Sequence, residues 1–204
     1  MARYTGPKVK ISRRLGVNIF ENEKGSRALE RRPYPPGEHG RSRRRQPSEY
    51  LLQLQEKQKA KYIYGVLEKQ FSNMYKEATR QQGVTGENLL RMLELRLDNV
   101  SFRAGWASTR PQARQFVSHG MVKVNGNRVD IASYRVRKGD VVSLGAKARE
   151  MIVIRHNLDT LDRRTPDWLE HGDERLQVTV RELPVRAQID VPVREQLIVE
   201  LYSK

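Results

Sequence analysis

Apolar positions recur along this chain with two different periods. From Ile63 they fall at 66, 67, 71, 74, 75 and 78, the spacing of one helical face. Pro47-Ser48 reads as the start of this helical run, Gly65 as a break between two helices and Gly83 as a C-terminal stop. Thr85 then opens a third helix bearing Leu89, Leu90, Met92, Leu93 and Leu97, so the spacing predicts a small helical domain. Thr109-Arg110-Pro111-Gln112 has the form of a capping box with proline in the first turn, and predicts a helix to Ser118 with Gly120 past its end. Ala113, Phe116 and Val117 would be its buried face, with Arg110, Arg114 and Ser118 stacked on the opposite one.

Beyond that helix the period changes to two. Met121-Val-Lys-Val124 alternates as a strand, and Asn125-Gly126 supplies the two residues of a tight hairpin turn. Val136, the turn Lys138-Gly139-Asp140 and Val141-Val-Ser-Leu144 predict a second hairpin. Thr165-Pro166 reads as a helix start, and Leu176, Val178 and Val180 alternate as a strand. Pro192 opens a last helix with Leu197, Ile198 and Leu201 on one face. The expected class is α+β. An extended arm (1–46) precedes a helical domain (47–93) and a small domain of short helices packed on an antiparallel twisted sheet (94–157). A C-terminal strand and helix (158–204) would pack back on the helical domain.

Residues 1–46 are read as an extended arm because Pro33, Pro35, Pro36 and Gly37 interrupt them and Arg13-Arg14, Arg31-Arg32 and Arg43-Arg44-Arg45 dominate them. Such a segment orders on a partner, and its ten arginines against three lysines favour bidentate phosphate contacts. The bland alternatives are a solubilising tail or a targeting sequence, and Glu21, Glu23 and Glu30 count against the second.

Charge sharpens this picture. The 204 residues carry a net charge of +15. Residues 1–50 hold thirteen basic and five acidic side chains, and residues 91–155 hold the same numbers, whereas residues 156–204 hold seven and ten. Two separated basic blocks suit a polyanion and make its binding salt-sensitive. A membrane-surface helix would need Lys and Arg opposite an apolar stripe, which the proline-broken first block lacks. The Met151–Ile154 run is far below the ~20 residues of a membrane span. A soluble, cytoplasmic nucleic-acid binder is expected.

Catalytic chemistry is sparse. Cysteine is absent, and His39, His119, His156 and His171 are too far apart for a local metal pair, so no metal or cofactor is expected. No phosphate-binding loop, nucleophile elbow or dinucleotide fingerprint occurs. Arg96-Leu97-Asp98 matches the short catalytic core of many pseudouridine synthases, but Asn99-Val-Ser-Phe102 departs from the Thr-Ser-Gly extension of those enzymes. Its alternative role is helix surface and C-terminal turn. His119 reads either as a cap on the last carbonyls of its helix or as a phosphate contact. Tyr62, Tyr64 and Tyr75 are either core or base-stacking residues.

Several motifs in order carry a resemblance. Met92-Leu-Glu-Leu-Arg-Leu-Asp-Asn-Val100, Thr109-Arg-Pro-Gln-Ala-Arg-Gln115, Val117-Ser-His-Gly120, Val122-Lys-Val-Asn-Gly126, Ile131-Ala-Ser-Tyr134 and Lys138-Gly-Asp140 resemble the RNA-binding module named after small-subunit ribosomal protein four. Met1–Lys8, Pro36-Gly-Glu-His-Gly40, Pro192–Gln196 and Ile198–Tyr202 extend the likeness to the bacterial family of that protein from end to end. The resemblance implies a non-enzymatic, primary binder of 16S rRNA at a 5′-domain helix junction. It also implies nucleation of the body of the small subunit, contact with neighbouring small-subunit proteins, notably the fifth, an influence on translational accuracy, and a place near incoming mRNA. An accessory part of an RNA-modifying enzyme and a free-standing RNA chaperone are the competing classes.

The candidate rRNA contacts are Arg3, Lys8, Lys10, Arg13, Arg14, Arg31, Arg32, Arg43, Arg44 and Arg45 in the arm, and Lys57, Lys59 and Lys61 in the first helix. In the module they are Arg103, Thr109, Arg110, Arg114, Gln115, His119, Lys123, Asn125 and Arg128. Arg43–Arg45 are also candidates for contact with mRNA, and Leu197, Ile198, Leu201 and Tyr202 for contact with a neighbouring protein or closure of the domain. Two departures matter. The four arm cysteines that bind zinc in some members are missing, and the common His-Gly-His at the helix end is His119-Gly120-Met121. Recognition is expected to read RNA shape and backbone rather than base sequence.

Overall fold

A computed structural model describes residues 4–42, 46–161 and 163–203. The chain forms two units, one of residues 1–80 with 191–204 and the other of residues 81–190.

In the first unit, α1 (Lys8–Leu15) and α2 (Glu23–Arg31) pack together, and a 3-10 turn follows at Glu38–Arg41. The expectation of an extended arm is corrected here, because Ile11 and Leu15 lie one turn apart on α1 and are buried together with Ile19 of the turn that follows. Asn22 caps α2 by accepting from Gly25 N at 2.6 Å. The prolines break the chain only after α2, so Arg-rich composition masked a short amphipathic pattern. Helix α3 (Glu49–Ile63) begins on Ser48, whose hydroxyl accepts from Leu51 N. It ends at Tyr64-Gly65, and α4 (Glu68–Arg80) follows.

The second unit begins with α5 (Thr85–Glu94), α6 (Leu97–Arg103) and α7 (Arg110–Ser118). Strands β1 (Val122–Val124), β2 (Asn127–Arg128) and β3 (Val141–Leu144) come next, then α8 (Ala146–Arg149) and α9 (Ile152–Thr160). Strands β4 (Leu169–His171) and β5 (Gln177–Val180) complete one antiparallel sheet of order β2-β1-β3-β5-β4. Val122, Val124, Val142, Leu144, Val178 and Val180 alternate into one core with Trp106, Phe116, Ala113 and Trp168.

The limits of these units differ from those read in sequence. Leu89, Leu90 and Leu93 of α5 are buried within the second unit, and β4 and β5 extend the sheet of β1–β3. Residues from Val191 onward return to the first unit, where the last helix, α10 (Glu195–Ser203), packs on α3. The expected helix at Thr165-Pro166 is a turn leading into β4, because fully buried Trp168 and the Leu169↔Val180 pairing commit that segment to the sheet. The expected second hairpin also does not form: Val136 N bonds Leu95 O, and β3 pairs instead with β1 and β5. Asn125-Gly126 does make the first hairpin turn, with φ of 49° and 82°.

Candidate nucleic-acid interface

Helices α5, α6 and α7 are joined by a buried polar network. Glu94, only 1% exposed, accepts from Arg103 Nε at 3.1 Å and Nη2 at 2.9 Å, and from Asn99 Nδ2 at 2.7 Å. The other end of the Asn99 amide, Oδ1, accepts from Arg110 Nε at 2.9 Å. The Arg110 guanidinium lies 4.3 Å from the Phe102 ring centre and that of Arg163 only 3.8 Å from it. Arg163 also donates to the carbonyls of Phe102 and Ala107, at 3.0 and 3.1 Å, and so ties the α6–α7 loop down. Arg103 and Arg110, expected at an RNA surface, are instead buried parts of this scaffold. Position one turn from Arg114 suggested a shared face, but Arg110 sits at the first turn of α7, where the chain presses on α6.

Arg96 and Asp98 form a second buried pair, with Nε–Oδ1 at 3.0 Å and Nη2–Oδ2 at 2.7 Å. Asp98 Oδ1 also accepts from Asn99 N. Both carboxylate oxygens are thus engaged inside the fold, and the reading of this tripeptide as helix surface is corrected: α5 stops at Glu94, and Asp98 lies in the first turn of α6.

Thr109 and Asn125 also hold the fold. Thr109 Oγ1 accepts from Gln112 N, while Gln112 Oε1 reaches past it to Ser108 N at 2.7 Å, a displaced form of the expected box. Asn125 Nδ2 donates to Asp140 Oδ1 and its Oδ1 accepts from Val141 N, both at 2.9 Å, which fixes the hairpin to β3.

The solvent side of this scaffold keeps Arg114 and Lys123 half-buried and Gln115, His119 and Arg128 exposed. Gly120 ends α7 at φ 68°, and the Arg128 guanidinium occupies the space a Cβ there would need, so hairpin and helix end meet through a cation. His119 takes the C-cap position through its backbone N–H to Gln115 O, and its ring remains at the surface. Arg137 and Lys138, not singled out from sequence, are exposed beside the same turn, because Asp140 bonds both Asn125 and Arg137 N. The run Arg135-Val-Arg-Lys138, with buried Val136 between charges, was the pattern that could have found them.

The first unit uses many of its candidate cations internally. Arg13 donates to Tyr34 O at 3.0 Å and Pro35 O at 3.3 Å, clasping the chain after α2. A hydrogen bond from Arg41, with the charges of Arg41, Arg32 and Arg13 nearby, holds the Tyr34 phenol below its ordinary pKa against the opposing effect of desolvation. Lys8 lies 5.5 Å from the Phe20 ring, and Arg14 donates to Gln58. Lys57 and Lys61 both bond Glu68, at 2.8 and 3.2 Å, and Lys59 bonds Glu56 at 2.5 Å. The expectation that these lysines are solvated or phosphate-facing is corrected, since all three are largely buried against carboxylates. Burial would raise the Glu68 carboxyl, but the two lysines outweigh it and lower the pKa. Lys10, Arg31 and Arg32 are exposed, whereas Arg3 and Arg43–Arg45 lie outside the described residues.

The terminal stripe is also absorbed. Ile198 is fully buried, Leu197 and Leu201 are half-buried, and Tyr202 stacks on Tyr75 with ring centres 4.4 Å apart. Tyr202 donates to Glu68 at 3.1 Å, and burial with that neighbouring charge pushes its phenol well above the ordinary value. The four candidates for a neighbouring protein therefore close the first unit on itself. Tyr64 is core, and Tyr62 packs edge-on against Tyr4.

Among the described residues no cluster of His, Asp and Glu could hold a metal ion, and no helix is long and apolar enough to cross a membrane. Residues 3–94 match the family described as Ribosomal protein S4/S9 N-terminal domain, and residues 95–142 match the S4 domain. The small ribosomal subunit protein uS4 of Nocardioides sp. strain JS614 is 59% identical, with both chains covered in full. The proteins of the same name from Nocardia farcinica and Corynebacterium ammoniagenes are 57% and 56% identical, again over both whole chains.

Proposed function

This chain belongs to the small ribosomal subunit protein uS4 family, and from that premise we propose that it is a resident, non-enzymatic binder of 16S rRNA. The proposed target is a helix junction of the 5′ domain, and the proposed consequence is nucleation of the small-subunit body in the cytoplasm. Contact with neighbouring small-subunit proteins, the fifth among them, an influence on accuracy and contact of Arg43–Arg45 with incoming mRNA belong to the same proposal. One observation carries it: the exposed or half-exposed cations of α7 and the β1–β2 hairpin stand on a scaffold fixed by buried ion pairs.

Such a surface fits phosphate positions without remodelling itself. A folded junction crowds phosphates from several strands, so cations held at set spacings favour that shape over an extended strand. The contacts proposed for the module are Arg114, Gln115, His119, Lys123 and Arg128, joined by Arg137 and Lys138. In the first unit they are Lys10, Arg14, Arg31 and Arg32.

Arg114→Ala and Lys123→Ala are each expected to lower affinity for a 5′-domain transcript and to reduce the salt slope by about one unit. Arg110→Ala is expected to lower thermal stability instead. Filter-binding titrations from 50 to 300 mM KCl and a melting curve separate the two effects. Unchanged slopes for both surface variants would reject the phosphate role.

A further inference from the structure

The second unit has an open cleft of about 770 Å³ between α8, α9 and the 3-10 turn before β5, away from the residues assigned above. Arg149, Arg155 and Arg175 line it, together with Glu150, Asp159 and Glu174. Leu158 and Leu176 give it an apolar wall. Its volume is that of a pocket for one small organic group.

The charges around this cleft are not spent on one another. Among the described residues no ion pair joins any of the three arginines to any of the three carboxylates. Arg149 Nε donates to Leu144 O at 3.0 Å and Arg155 Nε to Arg149 O at 3.1 Å. Each guanidinium is thereby tethered through Nε, and its two η nitrogens keep their donors for another group. Arg175 is fixed differently. Glu174 and Arg175 both have left-handed backbones, φ 58° and 54°, and Trp106 Nε1 holds the Arg175 carbonyl at 2.8 Å from inside the core.

Tethered guanidiniums, separate carboxylates and an apolar wall together describe a ligand with an anion, hydroxyl donors and a flat apolar face. A ribonucleotide unit has all three: phosphate for the arginines, ribose hydroxyls for the carboxylates, and a base for Leu158 and Leu176. We propose that this cleft is a second RNA site, which seats one unstacked nucleotide of a single-stranded segment. It rests on the reading that RNA is the partner of this chain and adds to it a local site for a nucleotide outside the helical junction.

Full-length protein carrying R149Q and R155Q together tests this, with a 16S 5′-domain transcript in filter binding from 50 to 300 mM KCl. The salt slope is expected to fall by about one unit and affinity by about tenfold or more, with circular dichroism and melting midpoint unchanged. Wild-type slope and affinity in that variant would overturn the site. If the variant keeps its RNA binding but no longer co-sediments with small subunits, the cleft serves a protein and the proposal is equally overturned. If wild-type protein itself fails to bind the transcript, the rRNA reading falls, and a ten-nucleotide single-stranded RNA then decides the cleft. Binding there that R149Q/R155Q weakens supports it, and no binding overturns it.

Discussion

Glu94→Ala is expected to destabilise the second unit by about 3–5 kcal/mol, the usual loss when one partner of a buried ion pair is removed. Glu94 is the acceptor at the centre of the α5–α6–α7 network, taking two bonds from Arg103 and one from Asn99. Its removal leaves the Arg103 guanidinium, 10% exposed, without that carboxylate in a site water scarcely reaches. It also removes one of the two Glu94 acceptors of Asn99 Nδ2, leaving the Glu94 main-chain carbonyl at 3.0 Å to hold the amide whose Oδ1 orients Arg110. Both tryptophans of the chain, Trp106 and Trp168, are buried in the second unit, so their fluorescence in urea reports this loss selectively. A loss under about 1 kcal/mol would mean that the network is replaceable and α7 is held by apolar packing alone.

Ile198→Asp is expected to unfold the first unit. The substitution removes a fully buried side chain from the contact of α10 on α3 and places a carboxylate there. Lost packing costs roughly 2–5 kcal/mol and the unpaired buried charge adds to it, comparable to the whole stability of a small domain. Helical circular dichroism is expected to fall sharply while tryptophan emission stays native, because no tryptophan lies in the first unit. If dichroism and melting are unchanged and only attachment to the small subunit is lost, the terminal stripe is a protein contact after all.

These two sites also mark where the sequence was readable. Regular periods exposed most elements: Ala113, Phe116 and Val117 face the core as their spacing requires, and Asn125-Gly126 turns the hairpin. Apolar residues have one favourable destination, so their pattern maps directly onto burial. Arginine has two. Arg103 and Arg110 carry the same charge as Arg114, and only the position of Glu94, Asn99 and Phe102 decides that the first pair turns inward. That decision rests on contacts between α5, α6 and α7, which no local window contains.

Short elements were hidden for a related reason. In residues 8–31 the buried apolar residues are few, Ile11 and Leu15 on α1 and Ile19 in the turn after it, and arginines flank them, so composition suggested an extended arm where two helices form. The segment at 165–171 carries a sound helix-start pair, yet pairing of Leu169 with Val180 and burial of Trp168 outweigh local preference. Lys57, Lys59 and Lys61 alternate like a solvated face, and their carboxylate partners at Glu68 and Glu56 were not paired with them in sequence. The basic residues that remain outward on the α7–hairpin face form a smaller set than the sequence suggested, and a more rigid one.

The most direct test uses two transcripts of equal length, the 5′-domain junction and a scrambled sequence, with wild-type protein at matched potassium and magnesium concentrations. Both offer the same number of phosphates, so fixed cations fitted to a folded backbone are expected to bind the junction roughly a thousandfold more tightly. Equal affinity for the two at every salt concentration would contradict recognition of shape and leave only nonspecific attraction of charge.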